Sequence, residues 1–173
     1  LGTNIGASVG AVQWGLPAFF VSLGAGQLLY GPVSDMLGRK VPLYFGLGIF
    51  TIASIGCALA SNIETLVALR FLQGFGAAAG MAIPRAVVRD LHTGNEAARL
   101  MSLLMLVFSV SPILAPLVGS AVIAVTGWRG VFWMVTLAAL AGLVLTYTKL
   151  DETRPPEQRQ DRRLGSALRS YGR

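Results

Sequence analysis

The sequence predicts an all-α polytopic membrane protein, and three observations carry that prediction. Charged residues make up 13% of its 173 residues and apolar residues 54%, whereas a soluble domain carries about 25% charged residues. Five runs are nearly free of charge and long enough to cross hydrocarbon, which takes about 20 apolar residues in a helix. Lysine and arginine gather between alternate runs, the bias that marks the inner side of a membrane protein. A transmembrane barrel is excluded, because no run alternates apolar and polar residues as barrel strands must.

The first helix, about 11–31, comes from the charge-free stretch Leu1 to Ser34. The second, about 41–60, lies in the uncharged run Val41 to Ile63, and Pro42 suits its first turn, where a missing N–H costs nothing. The third, about 65–86, covers Thr65 to Pro84 and is broken only by Arg70. The fourth, about 100–125, lies within Leu100 to Trp128, and the fifth, about 129–149, follows Gly130 to Thr148. Ser61-Asn62 and Thr126-Gly127 are short turns, so neighbouring helices run antiparallel. Pro17, Pro112 and Pro116 fall inside predicted helices, where proline removes a backbone bond and bends the axis. Neighbouring helices can satisfy the freed carbonyls.

Arg39 and Lys40 follow the first helix, Arg85, Arg89 and Arg99 surround the link after the third, and Lys149 opens a basic tail. These segments hold 12 of the 14 basic residues. They are therefore cytoplasmic, with residues 1–10 on the other side. The net charge of +6 reports topology, so nucleic acid is a poor partner. The chain opens on Leu1 at the non-cytoplasmic side, which predicts at least one further helix upstream. Residues 150–173, with Pro155-Pro156 and six arginines, read as a cytoplasmic linker. Within it Leu164, Ala167, Leu168 and Tyr171 share a helical face that suits a lipid surface. Gly165 and Gly172 weaken that helix, and a disordered linker competes with it.

Other classes fail on composition. Intrinsic disorder needs low hydrophobicity. A disulfide scaffold needs more than Cys57, and a Cys/His metal site more than one His92. His92 sits beside Arg89 and Asp90 with no nucleophile motif, and Gly74-Phe75-Gly76 follows no strand and lacks dinucleotide spacing. No enzyme, metal or cofactor is implied.

Three segments stand out. Gly31-Pro32-Val33-Ser34-Asp35-Met36-Leu37-Gly38-Arg39-Lys40 occupies the predicted first cytoplasmic loop. Gly31 and Gly38 permit close approach or positive φ, and Asp35 with Arg39 and Lys40 can make charge-assisted contacts at helix ends. A plain tight turn carrying positive-inside charge is the alternative. In the third helix Arg70 lies about 8 Å from the predicted start at 1.5 Å per residue, a costly place for a charge. Snorkelling to the interface is the alternative. Gln73 and Gly74 continue its face, with Ala77, Ala78 and Met81, as an aqueous cavity wall would. Gly76 and Gly80 read as a helix-packing pair. In the fourth helix Ser111, Ala115, Pro116 and Gly119 space small residues around a proline, and a generic kinked helix is the alternative.

The loop segment resembles the cytoplasmic loop signature of the major facilitator superfamily, with Met36 where that family often has arginine. Arg70, Gln73 and Gly74 resemble its fourth-helix motif. Ser111, Ala115, Pro116 and Gly119 are similar, in degraded form, to the fifth-helix signature of drug-exporting antiporters. Gly26 to Pro32, Arg85 to Leu91, Glu96 to Arg99, Gly127-Trp128-Arg129 and Leu150 to Thr153 resemble the bicyclomycin/chloramphenicol-resistance (Bcr/CflA) branch. The resemblance implies a partial N-terminal six-helix bundle of the major facilitator fold, corresponding to helices two to six of twelve, in the cell inner membrane. It also implies a contact between Asp90 and Arg39, and a latch of Asp35, Arg39 and Asp90. The implied activity is drug export in exchange for protons, with the proton-binding acid often on the first helix, and the partners are lipid, drug-like molecules, protons and the rest of the protein. Import of a metabolite or sugar, or a non-transporting remnant, are the alternatives. Five helices enclose no alternating path, so this polypeptide alone is expected not to transport.

Overall fold

The computed structural model describes residues 14–153. The segment 1–10, the start of the first predicted helix and the tail with its surface helix lie outside the described residues. Five helices follow in order: α1 (Gly15–Leu37), α2 (Lys40–Leu59), α3 (Ile63–Leu91), α4 (Gly94–Thr126) and α5 (Trp128–Lys149). All five are long and apolar enough to cross a membrane, and no strand occurs among the described residues.

Links of one to three residues join them, so consecutive helices reverse direction. Each link has a local cause. Gly38 has φ 90° and turns the chain out of α1; Gly127, at φ 74°, forms the whole link between α4 and α5. Asn62 caps α3, its Oδ1 accepting from the Thr65 N–H at 2.8 Å. Glu64 in the first turn of α3 and Arg89 in its last both suit the helix dipole.

The boundaries correct the sequence reading in one consistent way. The first helix runs on through Pro32 to Leu37, so most of the segment expected to be a loop is its last two turns. Pro32 forfeits one backbone bond without ending the helix. The third helix reaches Leu91 and the fourth begins at Gly94. Charge marks where a helix leaves lipid, not where it stops.

α3 is the centre of the bundle, packed against α1 on one side and α2 on the other, with α5 behind α2. Two apolar clusters hold it. Cys57, Ala58, Ala60, Leu66 and Phe132 join α2, α3 and α5 near one end, and Tyr30, Leu43, Ala78, Ala79 and Ile83 join α1, α2 and α3 towards the other. The contacts rest on small residues, which let backbones approach where lipid removes any hydrophobic drive. A Cβ on Gly76 would lie 2.6 Å from the Gly46 carbonyl oxygen, whereas one on Gly80 would meet nothing. Gly76 is thus a packing residue and Gly80, expected to pair with it, is not. Large apolar side chains such as Ile52, Leu117 and Val125 lie exposed on the outside. In water that surface would be an aggregation liability; in lipid it is solvated.

Candidate functional site

The bundle has two ends. α1, α3 and α5 finish at the one where Arg39, Lys40, Arg89 and Lys149 lie; Arg129 marks the other. At the first end the left-handed turn at Gly38 swings Arg39 back beneath α1. Arg39 is 3% exposed. Its Nε donates to Asp90 Oδ2 at 2.7 Å and its Nη2 to Asp90 Oδ1 at 3.3 Å, a two-pronged contact with the last turn of α3. Nη1 lies 2.8 Å from Asp35 Oδ1 and donates to Ser34 Oγ at 2.6 Å, both on the last turn of α1. One guanidinium thus ties α1, α2 and α3 together. Burial works against its charge, but the hydrogen bond and attraction of Asp90, with those of Asp35, outweigh it and hold the Arg39 pKa above the ordinary arginine value. Arg39 therefore stays charged at every working pH.

The contact of Asp90 with Arg39 implied by the resemblance is present. Lys40 enters the cluster through its backbone N–H, which donates to Glu152 at 3.3 Å. Met36 lies in α1, and the cluster closes without an arginine there. Gly31 is an ordinary helical residue with open space where a Cβ would stand, so neither close approach nor positive φ explains it. Ser34 and Glu152 were not legible as members. Nothing in local spacing pairs residue 39 with residue 152.

Deeper in the bundle, Arg70 on α3 lies between two rings, 5.7 Å from the centre of Phe19 on α1 and 4.9 Å from that of Phe132 on α5. Its Nη1 donates to Gln73 Oε1 at 2.9 Å, and Gln73 Nε2 donates to Ser54 Oγ on α2 at 2.7 Å. The Ser54 hydroxyl in turn donates to the Phe50 carbonyl at 2.7 Å. Among the described residues no carboxylate pairs with Arg70 in this chain of bonds. The cation is stabilised by ring faces and amide dipoles, which together offset part of the insertion cost of about 2.5–3.5 kcal/mol.

This geometry corrects two expected cavity residues. Gln73 is 2% exposed and faces α2; Gly74 is buried where a Cβ would strike the Phe19 carbonyl oxygen and Ser22 Oγ of α1. Both lie inside helix contacts, because the small residues expected to line a cavity here let helices touch. The α4 motif meets no close neighbour among the described residues. α4 buries no residue, Ser111, Ala115 and Pro116 are exposed, and nothing stands within 4 Å of a Cβ on Gly119. The helix continues through Pro112 and Pro116 with no close neighbour at the motif among the described residues. An apolar cavity of about 430 Å³ opens between α1 and α2, lined by Leu29, Val33, Val41, Phe45 and Phe75 among others. It contains neither Arg39 nor Arg70.

The chain matches the Major Facilitator Superfamily over residues 1–172. It is similar to the uncharacterized MFS-type transporter YdgK of Bacillus subtilis, 40% identical over 171 residues, covering 98% of this chain and 42% of that protein. It is 30% identical over 160 residues to the bicyclomycin resistance protein homolog of Haemophilus influenzae, covering 92% and 40%. The fold is similar to the crystal structure of the human organic anion transporter MFSD10, with a TM-score of 0.76 at 22% identity, over 96% of this chain and 40% of that one. The chain spans about two fifths of the length of these relatives.

Proposed function

Because this chain belongs to the Major Facilitator Superfamily, we propose that it serves in a secondary active transporter that exports drug-like molecules in exchange for protons, with Arg39, Asp35 and Asp90 as the latch of one gate. Membership makes it a multi-pass membrane chain of a transporter family and not an enzyme. Drug export rests on the likeness to a bicyclomycin resistance homolog, and the basic end is read as the cytoplasmic side from its arginines and lysines.

The observation that carries the gate is the buried Arg39 fork. A buried ion pair is a poor source of net stability, yet this one is built from the ends of three helices at their shortest links. Such a contact suits an interaction that must form and break as helices rock about a central site. Arg70, held on two aromatic faces with no carboxylate partner among the described residues, is a fixed positive charge near the transport path. The proton carrier is a membrane carboxylate outside the described residues, since Asp35, Glu64, Asp90 and Glu96 lie within a turn or so of helix ends.

The test is flux in proteoliposomes carrying the whole reading frame. Asp35→Cys with Asp90→Cys, cross-linked by oxidation, is expected to stop drug efflux driven by a proton gradient and to release it on reduction. Undiminished efflux in the cross-linked protein rules out the latch. Uptake of a sugar or metabolite without drug export rules out the exporter.

A further inference from the structure

A helix leaves N–H groups unpaired at its start and carbonyls unpaired at its end, and in or near lipid these are expensive to leave bare. Of its own, α2 supplies only the Ala60 N–H, which donates to the Cys57 carbonyl at 3.4 Å. It has no side-chain cap, no acid in its first turn and no base in its last. The side-chain contacts at both ends come from α5 and its flank. At the start of α2, Glu152 Oε1 accepts from the Arg39 N–H at 2.8 Å and Oε2 from the Lys40 N–H at 3.3 Å. At the far end, Arg129 Nε donates to the Ala58 carbonyl at 2.9 Å and Nη2 to the Ala60 carbonyl at 3.1 Å. Arg129 is itself steadied by the Trp128 ring, 4.4 Å away. An anion meets the positive end of the helix and a cation the negative end, so both contacts also gain from the dipole. Glu152 and Arg129 bracket α5, which runs antiparallel to α2 and packs along it.

We propose that α5 clamps α2 at both ends so that the two helices move as one body, and that Glu152 is a positioning residue for the Arg39 gate. Glu152 fixes the backbone of the residue whose side chain holds Asp35, Ser34 and Asp90. Movement of the chain that follows α5 thereby reaches the gate through this carboxylate. The gate half of this proposal rests on the latch reading above; the clamp half does not.

The experiment is a double-mutant cycle on the whole protein, read first without any substrate. Cys57 is fully buried, so with any cysteine elsewhere replaced by serine its labelling by a thiol-reactive dye on heating reports unfolding. Glu152→Ala and Asp90→Ala are each expected to lower the midpoint by several degrees, and the double variant by little more than the larger single effect. Both act through Arg39, and residues that share a partner do not add. Arg129→Ala with Asp90→Ala is expected to add in full, being at opposite ends of the bundle. Glu152→Gln, which keeps shape and loses charge, is expected to fall between parent and alanine, and serves if the alanine variant does not fold. Full additivity of Glu152→Ala with Asp90→Ala, or a midpoint for Glu152→Ala equal to that of the parent, overturns the positioning role. In flux assays per folded molecule, Glu152→Gln is expected to cut the maximal rate about fivefold or more with KM unchanged, and an unchanged rate overturns the coupling to the gate. Non-additive melting alongside absent drug transport leaves the clamp standing and removes the exporter reading instead.

Discussion

Arg39 and Arg70 show how two arginines in one bundle are kept by different means. Arg39 holds two carboxylates and a hydroxyl at once, so its removal takes the two-pronged donor from Asp90 and one ion-pair contact from Asp35. Arg39→Ala is expected to destabilise the protein by about 3 kcal/mol. Arg39→Lys is expected to recover little, because an ammonium cannot reproduce the fork that spans α1 and α3. Both are checked by the midpoint of Cys57 labelling on heating. Arg70 depends on rings, so Phe132→Leu, which keeps bulk and loses the ring face, is expected to cost about 0.5–2 kcal/mol by the same assay. Glycines divide just as sharply. Gly76→Ala must push α2 away, since its Cβ would lie 2.6 Å from both the Gly46 carbonyl oxygen and the Phe50 nitrogen. Gly80→Ala meets open space and should leave the midpoint unchanged or raise it, as alanine favours helix by about 1 kcal/mol.

Among the helices, α3 and α4 are opposites. α3 buries eight residues, three of them alanines and two glycines, and pairs closely with α1 and α2. α4 is four residues longer, buries none, and touches α5 and α3 only lightly. Its Ser111, Ser120 and Thr126 hydroxyls bond back to its own carbonyls, so α4 answers its polar groups internally. In vesicles, a carbene reagent dissolved in the lipid is expected to label α4 peptides from this chain strongly and α3 peptides weakly, read by mass spectrometry. Equal labelling of the two contradicts this packing. In the whole protein, loss of α4 labelling relative to the 173-residue chain is expected wherever further helices cover it. The sequence could not separate these two helices, because Arg70 aside both read as apolar runs rich in small residues. A small residue allows a close contact but does not say that a partner is there.

Across the whole molecule, alternation of direction collects Arg39, Lys40, Arg89 and Lys149 at one end and leaves Arg129 at the other. Single cysteines at Lys40 and Arg89 are expected to react with an impermeant thiol reagent from the cytoplasmic side only, and one at Gly127 from the opposite side only. The reverse pattern overturns the orientation read from charge. Five helices, their reversals and the membrane as their solvent were all written in composition and in the spacing of charges, because crossing hydrocarbon is a requirement that each segment meets by itself. The approach of Asp90 to Arg39 was legible only through resemblance. What tertiary structure alone decided is which small residues touch and which charges meet. Gln73 and Gly74 are interior because α2 and α1 close over them, and Glu152 reaches the start of α2 because α5 lies antiparallel to it. Those outcomes depend on residues up to 113 positions apart in the chain, and a local pattern carries no information about contacts that only the packed bundle brings together.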